Sequence, residues 1–136
     1  MNIVVDTNIL FSALLREKNR YAELLFLESS NHYFLPRFAI VEIFKHKEKI
    51  LRHSKCPEEV LLEMLHRLLR QFQFLDENLI STASYLQAWQ LCKDVDEKDL
   101  VFVAMSIEFD AHFWTADQQL VSSLTAKGFN KFFNPF

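Results

Sequence analysis

The chain has 136 residues, half of them hydrophobic and about a quarter charged, which is the composition of an ordinary globular domain. One glycine and three prolines leave no room for a glycine-rich phosphate loop or a dinucleotide fingerprint, so those nucleotide-binding classes are excluded. The net charge of −3 argues against nucleic-acid binding by bulk positive charge. No apolar run approaches the roughly 20 residues of a membrane span. Cys56 and Cys92, which are isolated and follow no signal-peptide pattern, indicate reduced thiols in a cytoplasmic protein.

Apolar periodicity and helix-start signals predict alternating strands and helices. In chain order, we expect a strand at 2–6, helices at about 8–15 and 20–28, a strand at 32–36, a helix from Pro36 to about Arg52, a helix opened by Pro57, a short candidate strand at 72–75, helices near 80–93 and at the core of 96–110, a strand at 111–115, a helix at 117–128 closed by Gly128, and a last strand at 131–133. Such alternation is typical of a parallel α/β sheet with helices on both sides. No domain boundary interrupts it, so residues 1–136 are expected to form one domain.

Two aspartates follow predicted strands. Asp6 ends the first strand, and Asp117 comes shortly after the strand that ends at Thr115. Because ligands of open α/β sheets bind outside the carboxyl ends of the strands, both carboxylates are expected at the functional edge. Each also stands just before a helix, where Asp is a preferred N-cap. Taken singly, each aspartate is therefore a helix cap or a ligand, and the sequence does not decide which.

Three further acids complete a set of carboxylates. Glu42 lies on the helix after the second strand, opposite the apolar stripe of that helix, so it is expected to face water or a wet cleft. The stripe consists of Ile40, Ile43, Phe44, Ile50 and Leu51. Asp96 and Asp99 stand near a later helix start, where acids also interact favourably with the helix dipole. Together, such acids suit Mg²⁺ or Mn²⁺, which take oxygen ligands and promote phosphodiester hydrolysis.

The segments VVDTNIL, AIVEIF and DEKDLVFVAMSIEFDAHFWTAD, in this order, resemble the PIN-domain family, and within it the single-domain ribonucleases of the VapC toxin type. The resemblance covers nearly the whole chain and implies a three-layer α/β/α fold with a central, mainly parallel sheet. It also implies a nuclease site that binds one or two Mg²⁺ or Mn²⁺ ions. The residues that match the four family acids are Asp6, Glu42, Asp99 and Asp117, with Asp96 competing for the third position or acting as an outer ligand. The polar residues that match those supporting the carboxylates by hydrogen bonds are Thr7, Asn8 and Thr115.

Basic residues follow Glu42 along its helix. The stretch 45–55 carries five Lys or Arg and two His against one Glu. Its candidates for contact with an RNA backbone are Lys45, Lys49 and Arg52; the alternative is a solvated helix face. A smaller basic corner consists of Arg16, Lys18 and Arg20, and it is expected near the rim of the cleft if Asp6 marks that cleft. Arg16 is therefore a further candidate for contact with RNA. The family resemblance suggests RNA as the substrate, whereas His46 is expected to be an ordinary surface residue.

The helix after Pro57 is apolar over more than half its circumference, and the tail 129–136 is rich in Phe. Each of these features is either covered within the chain or docks a second subunit or an antitoxin. With 14 Phe in a small domain, a homodimer is expected.

The leading hypothesis is a metal-dependent endoribonuclease, the toxin of a toxin–antitoxin pair. One rival is a PIN fold that binds RNA or protein without cutting it. Another is an aspartyl-phosphate enzyme or receiver domain, which also carries an aspartate at a strand end. The segment DTN lacks the second acid, two residues on, that a phosphatase of DxD type would offer.

Overall fold

The computed structural model describes residues 1–15, 20–27, 30–95 and 97–136. In chain order, its strands and helices are β1 (Asn2–Val5), α1 (Thr7–Leu15), α2 (Arg20–Phe26), β2 (His32–Pro36), α3 (Phe38–Ser54), α4 (Glu58–Leu69), β3 (Phe72–Leu75), α5 (Thr82–Cys92), α6 (Leu100–Glu108), β4 (His112–Trp114) and α7 (Gln118–Ala126). Short 3-10 turns, Glu77–Leu79 and Glu97–Asp99, precede α5 and α6. Two helices thus separate each strand from the next, which gives the chain room to return to the start of a parallel neighbour.

The strands form one parallel sheet in the order β3-β2-β1-β4. The chain builds outward from β1 to β2 and β3, and it then crosses back to place β4 on the other side of β1. Val4 of β1 is accordingly paired with Phe34 on one side and Phe113 on the other. Such a reversal of strand order is a topological switch point, where open α/β sheets bind ligands at the carboxyl ends of the strands. The reversal here lies between β1 and β4, the two strands that precede Asp6 and Asp117.

Side-chain alternation along the strands divides the core between the two faces of the sheet. In β1, Ile3 and Val5 pack with α1 to α4, whereas Val4 packs with α5, α6 and α7. In β4, Trp114 faces the first set of helices and Phe113 faces the second. A strand that is buried on both faces reads as a continuous apolar run, as β1 does. The predicted three-layer α/β/α arrangement with a parallel sheet is therefore confirmed.

Two predicted element boundaries are wrong. Pro36 does not open a helix: it is the last residue of β2, opposite Leu75, and α3 begins at Phe38. Proline is tolerated at a strand end because the missing N–H costs little there. The predicted last strand at 131–133 is only one isolated bridge, between Phe132 and Phe113. The segment still lies along the outer edge of β4, since the Phe113 amide donates to the Lys131 carbonyl.

The predicted apolar stripe of α3 is also wrong in part. Ile43 and Ile50 are buried, but Ile40 is 40% exposed and Phe44 is 75% exposed. The helix packs against α1 through a narrower face that includes Ala39. Periodicity marks the apolar side of a helix correctly here, but a neighbouring helix covers only part of that side.

The apolar helix α4 and the Phe-rich tail differ in how well the chain covers them. On α4, Leu61 and Leu68 are buried, while Val60 and Leu62 are each more than 40% exposed. In the tail, the ring of Phe136 lies against Trp114, with the centroids 6.4 Å apart, and the Arg20 guanidinium lies 4.2 Å from its centroid. The tail therefore packs beside β4 and the start of α2. The homodimer stays a prediction.

The structure also bears on membrane insertion and on the cysteines. None of the helices in the described ranges combines the length and the apolar character that crossing a bilayer requires.

Cys56 and Cys92 are both free thiols. Burial raises the pKa of the Cys92 thiol to about 11, and the negative charge of Asp99 adds to the effect. Cys92 is therefore a thiol rather than a nucleophilic thiolate at neutral pH.

Candidate functional site

Asp6 is a buried carboxylate at the carboxyl end of the central strand. Its side chain is 5% exposed and accepts hydrogen bonds from the Asn8 amide (3.2 Å, on Oδ1) and the Thr115 hydroxyl (2.9 Å, on Oδ2). Burial away from water is the main effect on the pKa of Asp6 and raises it. The charge of Asp117 raises this pKa further, while the hydrogen bonds from Asn8 and Thr115 oppose the increase. No salt bridge among the described residues compensates this carboxylate.

The segment after β4 connects Asp6 to Asp117. The hydroxyl of Thr115 donates to Asp6 and accepts the amide of Asp117 at 3.2 Å. Asp117 caps α7, because its Oδ1 accepts the amide of Leu120 at 3.1 Å. Cap and ligand are therefore not exclusive at this position: one carboxylate oxygen holds the helix start, while the charge of the group acts on Asp6. Two carboxylates that act on each other in this way are relieved of their repulsion by a nearby cation.

Glu42 is tied to the same strand end by a different bond. It lies in the second turn of α3, half-buried, and its Oε1 accepts the hydroxyl of Thr7 at 3.1 Å. Thr7 directly follows Asp6 and is itself buried. Two consecutive residues therefore bind two of the predicted acids. The hydroxyl of Thr7 donates to Glu42, and the amide of Asn8 donates to Asp6. Asn8 is exposed and contributes its backbone amide rather than its side chain.

Asp99 stands at the start of α6. This helix leads into β4 and packs against β1 and β4, so its first turn lies at the carboxyl edge of the sheet. The ring of Phe102, in that turn, contacts Phe38 at the start of α3, with the centroids 5.5 Å apart. Asp99 is half-buried and close enough to Cys92 to raise the pKa of its thiol. Asp96 lies outside the described residues, so the choice between Asp96 and Asp99 stays open.

The fold thus brings all four predicted acids to one edge of the sheet but does not bring them into one cluster. Asp6 and Asp117 are linked through the hydroxyl of Thr115, and Glu42 is bonded to Thr7, the residue after Asp6. Within the ranges that the structure describes, no three His, Cys, Asp or Glu side chains lie close enough together to hold a metal ion. The donor set itself fits a hard cation, because it consists of carboxylates and the most buried one carries a raised pKa. The shared metal site stays a prediction.

The predicted RNA-binding residues divide between a cleft and open surface. A cleft of about 220 Å³ lies between α1 and α3, and Lys49 lines it together with Phe11 and His46. Lys45 and Arg52 are exposed on α3 outside the cleft. Arg16 and Lys18 lie outside the described residues. Sequence analysis did not single out Phe11, although its position one helical turn after Asn8 places it on the side of α1 that Asn8 occupies.

Thr115→Val tests the link between the two aspartates. Valine keeps the shape but removes a bond to Asp6 and one from Asp117, so we expect the unfolding free energy to fall by about 1–3 kcal/mol. The pKa of Asp6 should rise further, because the Thr115 hydroxyl opposes the increase. Chemical denaturation measures the unfolding free energy. The dependence of stability on pH reports the change in the pKa of Asp6. In the matched control, Thr125→Val on exposed α7 surface, neither should change; equal effects in both variants would contradict the role of Thr115.

Comparisons with known proteins identify the family and the fold. The PIN domain family matches residues 4–130, so the chain belongs to the PIN domain family. A chain in the crystal structure of VapBC2 from Rickettsia felis, bound to a DNA fragment from their promoter, superposes with a TM-score of 0.69 at 17% identity, covering 90% of this chain and 92% of that one. A chain of VapBC-1 from nontypeable Haemophilus influenzae gives 0.61 at 14% identity, covering 93% and 94%. At such identities the likeness establishes the fold alone. No curated protein matches the chain.

Proposed function

We propose that this PIN-domain chain is a Mg²⁺- or Mn²⁺-dependent endoribonuclease. The observation that carries the proposal is the environment of Asp6: a carboxylate buried at the topological switch point, beside a second carboxylate and without a cationic partner among the described residues. Such a group lowers the stability of the fold, because burying a charge that has no cationic partner is unfavourable. A buried carboxylate with a raised pKa at this edge of the sheet is a candidate for a functional group.

The residues proposed to hold one or two ions are Asp6, Glu42, Asp99 and Asp117, with Asp96 as an additional ligand. A bound divalent ion supplies Lewis acidity toward a phosphodiester and toward water. Thr115 orients the Asp6 carboxylate through its hydroxyl, and Thr7 does the same for Glu42. Such bonds fix the direction of carboxylate lone pairs before any ligand arrives.

RNA as the substrate is supported by family membership and by the charge of α3. Lys45, Lys49 and Arg52 make no ion pair within the described part of the chain, whereas Lys47 is held by Glu58 at 2.7 Å. Three cations on the helix that carries Glu42 are therefore available to phosphate groups. The two similar folds come from VapBC complexes. On that likeness we propose that the chain is the toxin of a cytoplasmic toxin–antitoxin pair, forms a homodimer and is blocked by its antitoxin.

A second candidate is a module that binds RNA without cutting it. The cleft between α1 and α3 favours it, because the basic Lys49 and the ring of Phe11 both line the cleft. An aspartyl-phosphate enzyme receives no comparable support, since the segment DTN lacks the second acid that a phosphatase of DxD type would offer.

Metal removal separates the nuclease from the binding module. After EDTA treatment and gel filtration, we expect cleavage of single-stranded RNA to stop, because the carboxylates then hold no Lewis acid. Millimolar Mg²⁺ or Mn²⁺ should restore it. The readout is the product pattern of an end-labelled RNA on a sequencing gel, with an Asp6→Asn preparation, purified in parallel, as the control for contaminating ribonuclease. Cleavage by the parent chain that persists in EDTA, while the Asp6→Asn preparation does not cleave, would rule out the proposed metal dependence. Equal EDTA-resistant cleavage by both preparations would come from a contaminating ribonuclease. RNA binding with no cleavage in either ion would favour the binding module.

A further inference from the structure

The cleft between α1 and α3 lies directly beside the candidate acids. Its rim begins at Asn8, the residue whose amide holds Asp6, and continues to Phe11 on α1 and to His46, Lys49 and His53 on α3. Its volume of about 220 Å³ is below the roughly 300–1,000 Å³ of ordinary small-molecule sites. The cleft therefore suits one flat ring system rather than a whole metabolite or a peptide helix.

Two aromatic rings form the wall of this cleft. The rings of Phe11 and His46 meet edge to face, with centroids 5.5 Å apart and planes at 72°. Both side chains are half-buried, and the buried Ile50 lines the same cleft. The pair is thus held in place by the packing of α1 on α3, and both side chains line the cleft. A fixed aromatic face is what an unpaired nucleobase stacks on, whatever its sequence.

Positive and titratable groups lie further along the same helix face. Positions 42, 46, 49 and 53 fall within one narrow arc of α3, because successive residues turn by about 100°. The acid Glu42 therefore comes first, the His46 ring next, and then Lys49 and His53. Lys49 makes no ion pair with a described residue. This order matches the parts of an RNA strand beside a hydrolytic site. Glu42 would lie near the reacting phosphate, His46 near the base, and Lys49 with His53 near a neighbouring phosphate.

We propose that this cleft binds one unpaired base of an RNA strand, next to the phosphodiester at the acids. The base stacks against the Phe11–His46 pair, and Lys49 with His53 contacts an adjacent phosphate. The inference rests on the proposed ribonuclease function and extends it to the form of the substrate. In a duplex the bases are already stacked on one another, so the cleft selects unpaired nucleotides.

Binding without cleavage provides the test. The full chain with Asp6→Asn, in EDTA, is titrated by fluorescence anisotropy with labelled oligoadenylate and with an abasic ribose-phosphate strand of equal length. We expect oligoadenylate to bind about tenfold tighter than the abasic strand. Adding Phe11→Leu, or His46→Ala as a second variant, should remove most of that difference. The matched control is Phe44→Leu, an exposed phenylalanine of α3 outside the cleft, which should keep it. Lys49→Gln should weaken the binding of both strands by a similar factor.

The outcomes separate this inference from the proposed nuclease. Equal affinity for the two strands, or equal effects of Phe11→Leu and Phe44→Leu, would overturn the base-stacking cleft, even if the unmodified chain cleaves RNA with Mn²⁺. Base-dependent binding that vanishes with Phe11→Leu would support the cleft, even if no ion induces cleavage, and would then overturn the nuclease alone. Thermal unfolding of each variant identifies any that lose affinity through loss of fold.

Discussion

Asp6→Asn should lower metal-dependent RNA cleavage by about a hundredfold or more while the fold persists. The amide keeps an oxygen for the Asn8 N–H and places its NH₂ toward Thr115, whose hydroxyl oxygen can accept it. The variant loses the buried negative charge and therefore a proposed ligand of the divalent ion. A bound ion of this kind stabilises the transition state of phosphodiester hydrolysis by several kcal/mol, so its loss lowers the rate. Steady-state cleavage with saturating Mn²⁺ measures the effect. Full activity of this variant would remove Asp6 from the proposed ligands.

The same variant should alter how stability depends on pH. Because the folded chain raises the pKa of Asp6, it binds this proton more readily than the unfolded chain does. Stability from this group is therefore present below the unfolded pKa and is lost as pH rises through the folded pKa. Asparagine does not titrate, so the stability of Asp6→Asn relative to the parent should increase from acidic to neutral pH. Urea denaturation at several pH values, without added metal, measures the difference.

Asp110→Asn is a control in which the change of stability with pH is expected to have the opposite sign. Asp110 is exposed, and its bond to Lys131 lowers the pKa of its carboxyl group. Its contribution to stability is therefore present above the unfolded pKa and is lost as pH falls through the folded pKa. Replacing it should reduce stability at neutral pH relative to acid. If both variants shifted in the same direction, the buried charge of Asp6 would not be the cause.

Phe113→Ala should cause the largest loss of stability. Phe113 is fully buried in β4, stacks on Phe102 with centroids 5.9 Å apart and pairs in register with Val4. Removing the ring leaves a cavity beside the switch point, and we expect the unfolding free energy to fall by about 3–5 kcal/mol. The melting temperature should fall by roughly 10–20 °C. Calorimetry and chemical denaturation provide the measurement.

The control for this substitution is Phe44→Ala. Phe44 is the same residue type but 75% exposed on α3, so its truncation should change the unfolding free energy by less than about 0.5 kcal/mol. Similar losses in the two variants would mean that Phe44 is covered in solution, as it would be in an oligomer.

The fold could be predicted because local patterns determine it. β1 is a short β-branched run, Pro57 stands at the start of α4, and Gly128 closes the turn after α7 with a φ of +97°. The alternation of such elements leaves few topologies other than a parallel sheet. The position of Asp6 and Asp117 at the carboxyl edge follows from that topology without any knowledge of side-chain contacts.

The details of the site could not be predicted because they depend on packing between distant segments. Phe11 and His46 are separated by 35 positions, and only the angle between α1 and α3 makes their rings meet. The exposure of Phe44 depends in the same way on how much of α3 its neighbour covers. Whether the carboxylates share an ion depends on rotamers and on Asp96, which neither the apolar pattern nor the helix signals specify. The family resemblance identified the acids, but the distances between them depend on the tertiary structure.

The course of the tail has a practical consequence for preparing the protein. Phe136 packs on Trp114, so the last residue of the sequence lies next to Thr115 and hence beside Asp6. Met1 lies at the opposite edge of the sheet, where its carbonyl accepts the amide of His32 at the start of β2. An affinity tag appended after residue 136 would therefore start close to Asp6 and to the proposed RNA entrance. Fusing the tag ahead of Met1 keeps that entrance clear, and assays on the two fusions are not interchangeable.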